Sequence, residues 1–221
     1  MSIWHRIVGT AFAGLCLSGL YAQNLVVNGS FEDTPPLTRR GNGHNWDVFP
    51  SIPGWTLSYG PAIEVMGHVP GGWNAADGSQ WLELDADTIP PTYQQGQIGI
   101  YQDIQTTPGA VYTLSFAFSP RPGPRRDPGE IDGIRVYWGG NLVATLFADG
   151  NNLSNTQWTY YTFTVTATAS TTRLEFQDAS QYNNTYGALL DDVSVQLVPE
   201  PATLVALGTG LAGLLIRRRR F

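Results

Sequence analysis

Between Asn24 and Leu197 apolar residues recur at alternate positions in short runs, and this period of two constrains the fold more than any other feature of the chain. In Val111–Phe118, Tyr112, Leu114, Phe116 and Phe118 share one parity, while Val111, Thr113, Ser115 and Ala117 share the other. Successive side chains of a strand point to opposite faces, so the pattern predicts a half-buried strand with its large residues toward a core. The alternation recurs in Ile134, Val136 and Trp138, in Tyr161, Phe163 and Val165, in Leu174 and Phe176, and in Val193, Val195 and Leu197. No stretch between the two ends carries a helical period, and Gly, Pro and Asn separate the runs. Such segments bury their apolar faces by packing sheet on sheet, which predicts an all-β antiparallel sandwich.

Charge and cysteine content narrow the function. All twelve basic residues are arginine, and between residues 23 and 197 only seven of them stand against seventeen acids, a charge of about −10. That surface offers no basic stripe from which a phosphate backbone could displace counterions, so no nucleic-acid partner is expected. The single cysteine, Cys16, lies in the N-terminal apolar segment behind Leu15, which is not the small residue a lipoprotein anchor requires. The domain therefore has neither disulfide nor thiol nucleophile, and packing, with or without a metal, must hold it together.

The two ends read as addresses. His5 and Arg6 precede an uncharged run from Ile7 to Leu20 with no polar face, and Ala22 offers a small residue before a cut at Gln23. This predicts a secretory signal helix over residues 1–22 rather than a core helix. At the other end, Val198-Pro199-Glu200-Pro201-Ala202 leads into an uncharged run to Ile216, followed by Arg217, Arg218, Arg219, Arg220 and Phe221. Prolines keep the first part extended, and a cytoplasmic arginine cluster stops translocation. Ala202–Ile216 is slightly shorter than the ~17–25 residues of a usual span, a gap that snorkelling arginines can close. A hydrophobic tail packed on the domain is the other use of these residues.

In this order the three parts resemble the PEP-CTERM sorting signal, which an exosortase, an integral-membrane cysteine transpeptidase, reads. The resemblance implies a sorting segment over 198–221 whose transmembrane helix tethers the exported precursor to the inner membrane of a Gram-negative bacterium. After processing, the protein belongs at the cell surface or in an exopolysaccharide matrix. Residues 23–197 remain as one domain.

Within that domain an ordered series of short motifs runs from Asn28-Gly29-Ser30-Phe31-Glu32 through Ile52-Pro53-Gly54-Trp55 and Ile63-Glu64-Val65 to Gly78-Ser79-Gln80-Trp81-Leu82-Glu83-Leu84-Asp85. It continues with Ile100-Tyr101-Gln102-Asp103-Ile104, Ser119-Pro120-Arg121-Pro122-Gly123 and Leu190-Asp191-Asp192-Val193-Ser194-Val195. Together these resemble the galactose-binding-like jelly rolls, and most of all the unknown-function family first met in plant cell-wall proteins. The resemblance implies a jelly-roll sandwich that binds polysaccharide or another wall component, often with a structural calcium, and no established catalysis. It carries calcium-ligating oxygens onto Glu32 and Asp191. Asp191 has the parity of Val193 and Val195 and so points inward in an unbulged strand, where it needs a partner: a cation, or backbone amides that it caps. Asp192, on the opposite parity, is expected in solvent.

Sugar recognition needs flat aromatic faces and planar polar groups. The candidates are Trp73 in the loop Pro70–Asn74, Trp81, Glu83 and Asp85 on one strand face opposite Leu82 and Leu84, Arg121 in a Pro/Gly-rich loop, and Glu64. Each also has a structural use, Trp81 as core on a second face and Arg121 as a salt-bridged anchor. Trp55 and Trp158 read as packing residues, although Trp158 has the parity of Tyr160; Trp46 and Trp138 stay open. The partner is then a polysaccharide or cell-surface glycan, bound without catalysis. A second reading rests on Glu83-Leu84-Asp85-Ala86-Asp87, three carboxylates on one face as in jelly-roll β-glucan hydrolases, with Glu83 and Asp85 as the working pair. A third is a structural surface protein whose partner is another protein. His44 and His68 lack metal-ligand spacing, and Asp149-Gly150-Asn151-Asn152 reads as a hairpin turn.

Overall fold

The alternating runs become strands that pair over long sequence distances. The computed structural model describes residues 23–40, 44–89, 94–124 and 129–199. The expected signal helix and transmembrane helix, and the sorting residues from Glu200 to Arg220, lie outside the described residues. Every described element is a strand: β1 (Arg39–Arg40), β2 (His44–Phe49), β3 (Thr56–Tyr59), β4 (Ile63–His68), β5 (Gln80–Glu83), β6 (Asp85–Ile89), β7 (Gln94–Gln97) and β8 (Gly99–Gln105) in the first half. The second half supplies β9 (Val111–Ser119), β10 (Asp132–Trp138), β11 (Asn141–Ala148), β12 (Thr159–Thr166), β13 (Thr171–Asp178) and β14 (Leu189–Leu197).

These strands form a seven-stranded sheet in the order β1-β2-β4-β5-β14-β9-β12, a five-stranded sheet in the order β11-β10-β13-β8-β3, and a small β6-β7 ribbon. All pairings are antiparallel. Eight strands nest like a long hairpin rolled over on itself: β5 pairs with β14, β8 with β13, β9 with β12, and β10 with β11. That nesting, split between two facing sheets, is the jelly roll. The N-terminal segment widens it, with β1, β2 and β4 extending one sheet and β3 the other.

The space between the sheets holds the core predicted from parity. Tyr112, Leu114, Phe116 and Phe118 of β9 face Ile134, Val136 and Trp138 of β10 and Leu174 and Phe176 of β13 within one buried cluster. Phe116 and Phe176 meet edge to face at 5.2 Å, a favoured arrangement for two ring quadrupoles. Trp55 is buried against Phe31 and Phe176, and its indole N–H donates to the Asn28 carbonyl at 2.9 Å. Trp138 is likewise core, donating to the Thr166 carbonyl at 3.0 Å. Leu197 departs from its expected side, standing exposed at the end of β14.

Two strands break the simple alternation, and both breaks shape the outer face of the seven-stranded sheet. In β14 the pairing with β9 slips between Asp191 and Ser194, and Asp192 adopts a left-handed backbone with φ 47°. The extra residue lets Leu190 and Val193 both enter the core and turns Asp191 to the opposite face. The expectation that Asp191 points between the sheets is thereby corrected, because it held only for an unbulged strand. In the other break, β5 stops at Glu83, and the chain bends at Leu84 before β6 begins at Asp85. Trp81, Glu83 and Asp85 therefore do not continue along one strand.

Candidate functional site

The outer face of the seven-stranded sheet is built by the parity that the core does not use. Trp81 stands opposite Met66, and Leu82 opposite Val65; one residue on, Glu83 stands opposite Glu64 on one side and Leu189 on the other. Met66, Trp73, Trp81 and Leu189 form a second buried apolar cluster here, with Trp46 and Trp158 packed against it. A loop from Trp73 to Gln80 covers this cluster and must be tied down. Trp158 Nε1 and Thr156 Oγ1 both donate to the Asn74 carbonyl, at 2.8 and 2.6 Å. Trp158 is thus a packing residue with one polar tie.

Glu32 and Asp191 clamp the same loop from its two ends. Asp191 Oδ2 accepts the amides of Ala76 and Asp77 at 2.7 and 3.0 Å, and its Oδ1 accepts that of Asp192 at 2.7 Å. Glu32 Oε1 accepts the amides of Ser79 and Gln80, each at 2.6 Å, and Oε2 accepts the Ser79 hydroxyl at 2.9 Å. Gly78 lies between them with φ +65°, and a Cβ there would meet Glu32 Oε1 at 2.5 Å, so only glycine closes this turn. The pair expected to ligate calcium does not fit a cation site in this arrangement, since the oxygens of both carboxylates face amide and hydroxyl hydrogens. Among the described residues no group of three His, Cys, Asp or Glu side chains is placed to hold a metal. Asp191 takes the amide-capping role that its sequence position also allowed.

Beside this loop a cleft of about 450 Å3 opens over the sheet. β2 supplies His44 and Trp46, β4 supplies Glu64, the covering loop Trp73, and β6 Asp87. Arg121 to Pro124 close one wall, and Thr185 and Tyr186 another. His44 stacks on Trp73 with ring centres 4.5 Å apart. The Arg121 guanidinium lies over the Tyr186 ring at 4.3 Å and over Trp73 at 5.5 Å, and it pairs with Glu83. Its backbone amide donates to Asp132 Oδ2 at 2.8 Å, so both ends of this residue are held.

Among the described residues, carboxylates outnumber the cation that faces them. Glu83 is fully buried, bonded through Oε2 to Arg121 and through Oε1 to the amide of Gly187 at 2.9 Å. Glu64, also buried, accepts the Asp87 amide at 2.7 Å. Burial and the charge of Glu83 hold Glu64 well above the usual carboxylate range. Burial also pushes Glu83 up to about 7, against the pull of Arg121. Desolvation works to lower the Arg121 pKa, yet the two carboxylates raise it, and its charge persists. Two buried carboxyls facing each other beside the Arg121 guanidinium hold protons more readily than isolated carboxyls do.

The wall at Tyr186 is positioned by Asp85, whose Oδ2 accepts the amides of Asn184 and Thr185 at 3.0 and 3.1 Å. Glu130 holds the Asn184 side chain at 3.0 Å. Thr185 sits at φ 69°, an unfavourable backbone for a β-branched residue, so these bonds maintain a strained turn. Burial raises Asp85 to about 6.

Of the six sugar-site candidates, the structure brings Glu64, Trp73 and Arg121 to the cleft. Glu83 stands behind Arg121 and Asp85 behind the Thr185 turn, neither lining it. Trp81 is wholly buried in the apolar cluster, its N–H directed at Met66 Sδ at 3.2 Å. Trp46, left open by its sequence, lines the cleft with Arg39 stacked on it at 4.7 Å. Tyr186, His44 and Thr185 were missed. The dense polar run Asn183-Asn184-Thr185-Tyr186-Gly187 was the available signal, but the distance from Tyr186 to Arg121 along the chain hides their contact.

Fold and cleft together define an all-β jelly-roll protein with a recessed aromatic and charged site on one sheet face. Residues 24–196 match the family described as "Protein of unknown function (DUF642)", and the chain belongs to that family. Residues 197–220 match the PEP-CTERM protein-sorting motif. Among solved structures, a CBM4 module is 17% identical with a TM-score of 0.36, covering 78% of this chain and 99% of its own. The CBM22-1 xylan-binding domain from Paenibacillus barcinonensis Xyn10C is 15% identical with a TM-score of 0.40, covering 73% and 99%. A family 35 carbohydrate binding module from an environmental isolate is 16% identical with a TM-score of 0.38, covering 61% and 87%. No curated protein matches the chain.

Proposed function

We propose that this is an exported protein, processed by an exosortase at its C-terminal motif, that binds polysaccharide or a cell-surface glycan in the cleft without turning it over. One observation carries the reading. Trp46, Trp73 and Tyr186 bring aromatic surface to a recess that Glu64, Asp87 and Arg121 also line. Aromatic faces pack on sugar C–H surfaces, and planar charged groups pair with hydroxyls.

The hydrolase alternative loses its pair. Glu83 and Asp85 are fully buried, and each has an oxygen engaged by backbone amides. Neither reaches the cleft, where a glycosidic oxygen would need a proton. The sorting motif supports export and a membrane-tethered precursor; the matrix or cell surface is the destination that follows from exosortase processing.

Affinity electrophoresis of the processed protein in polysaccharide gels tests the reading. Tyr186→Ala and Trp46→Ala should each weaken retardation, about tenfold for a lost stacking ring, with no soluble product released at any point. Retardation equal to wild type in both variants would show that the cleft takes no sugar. Mass spectrometry of the mature protein tests the sorting: a product still ending in Arg217–Phe221 would count against it.

A further inference from the structure

The outer face of the other sheet carries a second arrangement that the cleft does not use. Register across the five-stranded sheet sets Gly99 of β8 opposite Tyr59 of β3 and Gln177 of β13, with Arg135 of β10 next and Thr145 of β11 last. The adjacent row runs Tyr101, Glu175, Tyr137 and Leu142, and beyond Arg135 the pair Gly133 and Phe147 stands opposite. Residues of this parity alternate with Ile100, Phe176, Ile134 and Val136, which fill the core. They therefore point away from it.

Glycines leave the sheet bare where two rings rest on it. A Cβ on Gly99 would come within 2.6 Å of the Tyr59 ring, and one on Gly133 within 2.6 Å of the Phe147 ring. Both residues stay open to solvent, at 40% and 56% exposure. Their backbones occupy the two edge strands, four strand spacings or roughly 19 Å apart, and their rings lean inward over β8 and β10. Between them lie planar polar groups: Gln177 Nε2 donates to Glu175 Oε1 at 2.9 Å, which orders both side chains, and Arg135 adds an exposed fork of donors. Arg173 covers Tyr101 at 3.6 Å and is bonded twice to Asp103, so that pair neutralises itself. Arg135 and Glu175 add one charge of each sign, so that among the described residues these four charges on the face sum to zero.

We propose that this face is a second glycan-binding surface, one that takes an extended, uncharged polysaccharide chain laid across the strands from Tyr59 to Phe147. Rings leaning in from both edges, with hydrogen-bonding groups between them, match a polymer whose sugar faces and hydroxyls alternate. A charged polymer would find no balancing charge. The face lies on the opposite side of the sandwich from the cleft, so with both occupied the molecule bridges two chains. The proposal stands on its own observations and does not require the cleft.

The test uses the processed protein in gels containing hydroxyethylcellulose or xylan as uncharged probes and alginate as a charged one. The variants are Tyr59→Ala with Phe147→Ala, and Tyr186→Ala for the cleft, each with a melting curve matching wild type as the folding control. The double variant should bind an uncharged polymer about tenfold or more weakly, and light scattering should show cross-linking of dissolved xylan by wild type alone. Retardation of the double variant equal to wild type would overturn the second surface while leaving the cleft reading intact. Loss in the double variant with no effect of Tyr186→Ala would support this face and overturn the cleft. Retardation by alginate alone would overturn the uncharged class, and retardation by no polysaccharide would overturn both sites.

Discussion

Glu64 and Glu83 stand opposite each other on adjacent strands, and Arg121 is the guanidinium bonded to Glu83. Their burial makes the fold depend on that guanidinium. Arg121→Ala should cost about 3–5 kcal/mol at pH 8, where Glu83, without the cation that lowers its pKa, must stay charged and unpaired or take up a proton from dilute supply. The loss should shrink at pH 5, because a protonated Glu83 needs no cation. Urea melts at the two pH values measure the difference, and an equal loss at both would show that packing of the side chain, not charge, is what was removed. The same residue illustrates a limit of sequence reading. Arg121 was legible as a candidate from its loop of prolines and glycine, but the sequence did not tell that the guanidinium lining the cleft is also the one anchored to Glu83.

At the scale of elements, the loop from Trp73 to Gln80 is the part whose attachment decides whether the cleft exists. It has little regular structure of its own, and Glu32 and Asp191 hold it through four backbone amides and one hydroxyl. Removing Asp191 strands two of those amides, Ala76 and Asp77, together with that of Asp192. Asp191→Ala should therefore destabilise by about 1–3 kcal/mol, the cost of part-buried donors left unsatisfied. It should also expose Trp73, which tryptophan fluorescence detects as a red shift. In the wild type, excess chelator should leave the melting temperature unchanged, since amides and not a cation face these oxygens; a fall of several degrees would restore calcium to the account. The bulge at Asp192 explains why parity misled. Alternation predicts a side only while the strand keeps its register, and one inserted residue reverses everything before it.

For the whole molecule, buried acids set the pH dependence. Burial, as the main cause, raises Glu83, Asp178 and Asp191 to about 7 and Asp85 to about 6, and moves Glu64 upward as well. A raised carboxyl pKa means that the folded state keeps protons which the unfolded chain releases near its ordinary value. Stability from these groups is whole at low pH, declines as pH rises through the interval up to about 7, and is gone above it. Asp47, through its bonds to Thr38 and Val48, and Asp103, through Arg173, are lowered and lose their contribution only in stronger acid. The melting temperature should therefore peak at roughly pH 4–5 and fall by several degrees toward pH 8. Calorimetry across that range checks the sign, and a melting temperature that climbs toward pH 8 would contradict it.

What the sequence determined by itself was everything local and periodic. The parity of Val111–Phe118, Ile134–Trp138 and Leu174–Phe176 specified strands and their buried sides, because a side chain two positions along always returns to the same face. The motif order pointed to a jelly roll, and the Pro-Glu-Pro segment with its arginines to a sorting signal, since both are read along the chain. Only the tertiary structure decided which residues share a site. Tyr186 meets Arg121, Trp73 stacks on His44, and Trp81 disappears beneath a loop, because nested pairing of distant strands brings them together. A bend after Glu83 and a bulge at Asp192 chose the faces of Asp85 and Asp191. Backbone breaks of that kind arise from how neighbouring strands must fit, and no period in the chain announces them.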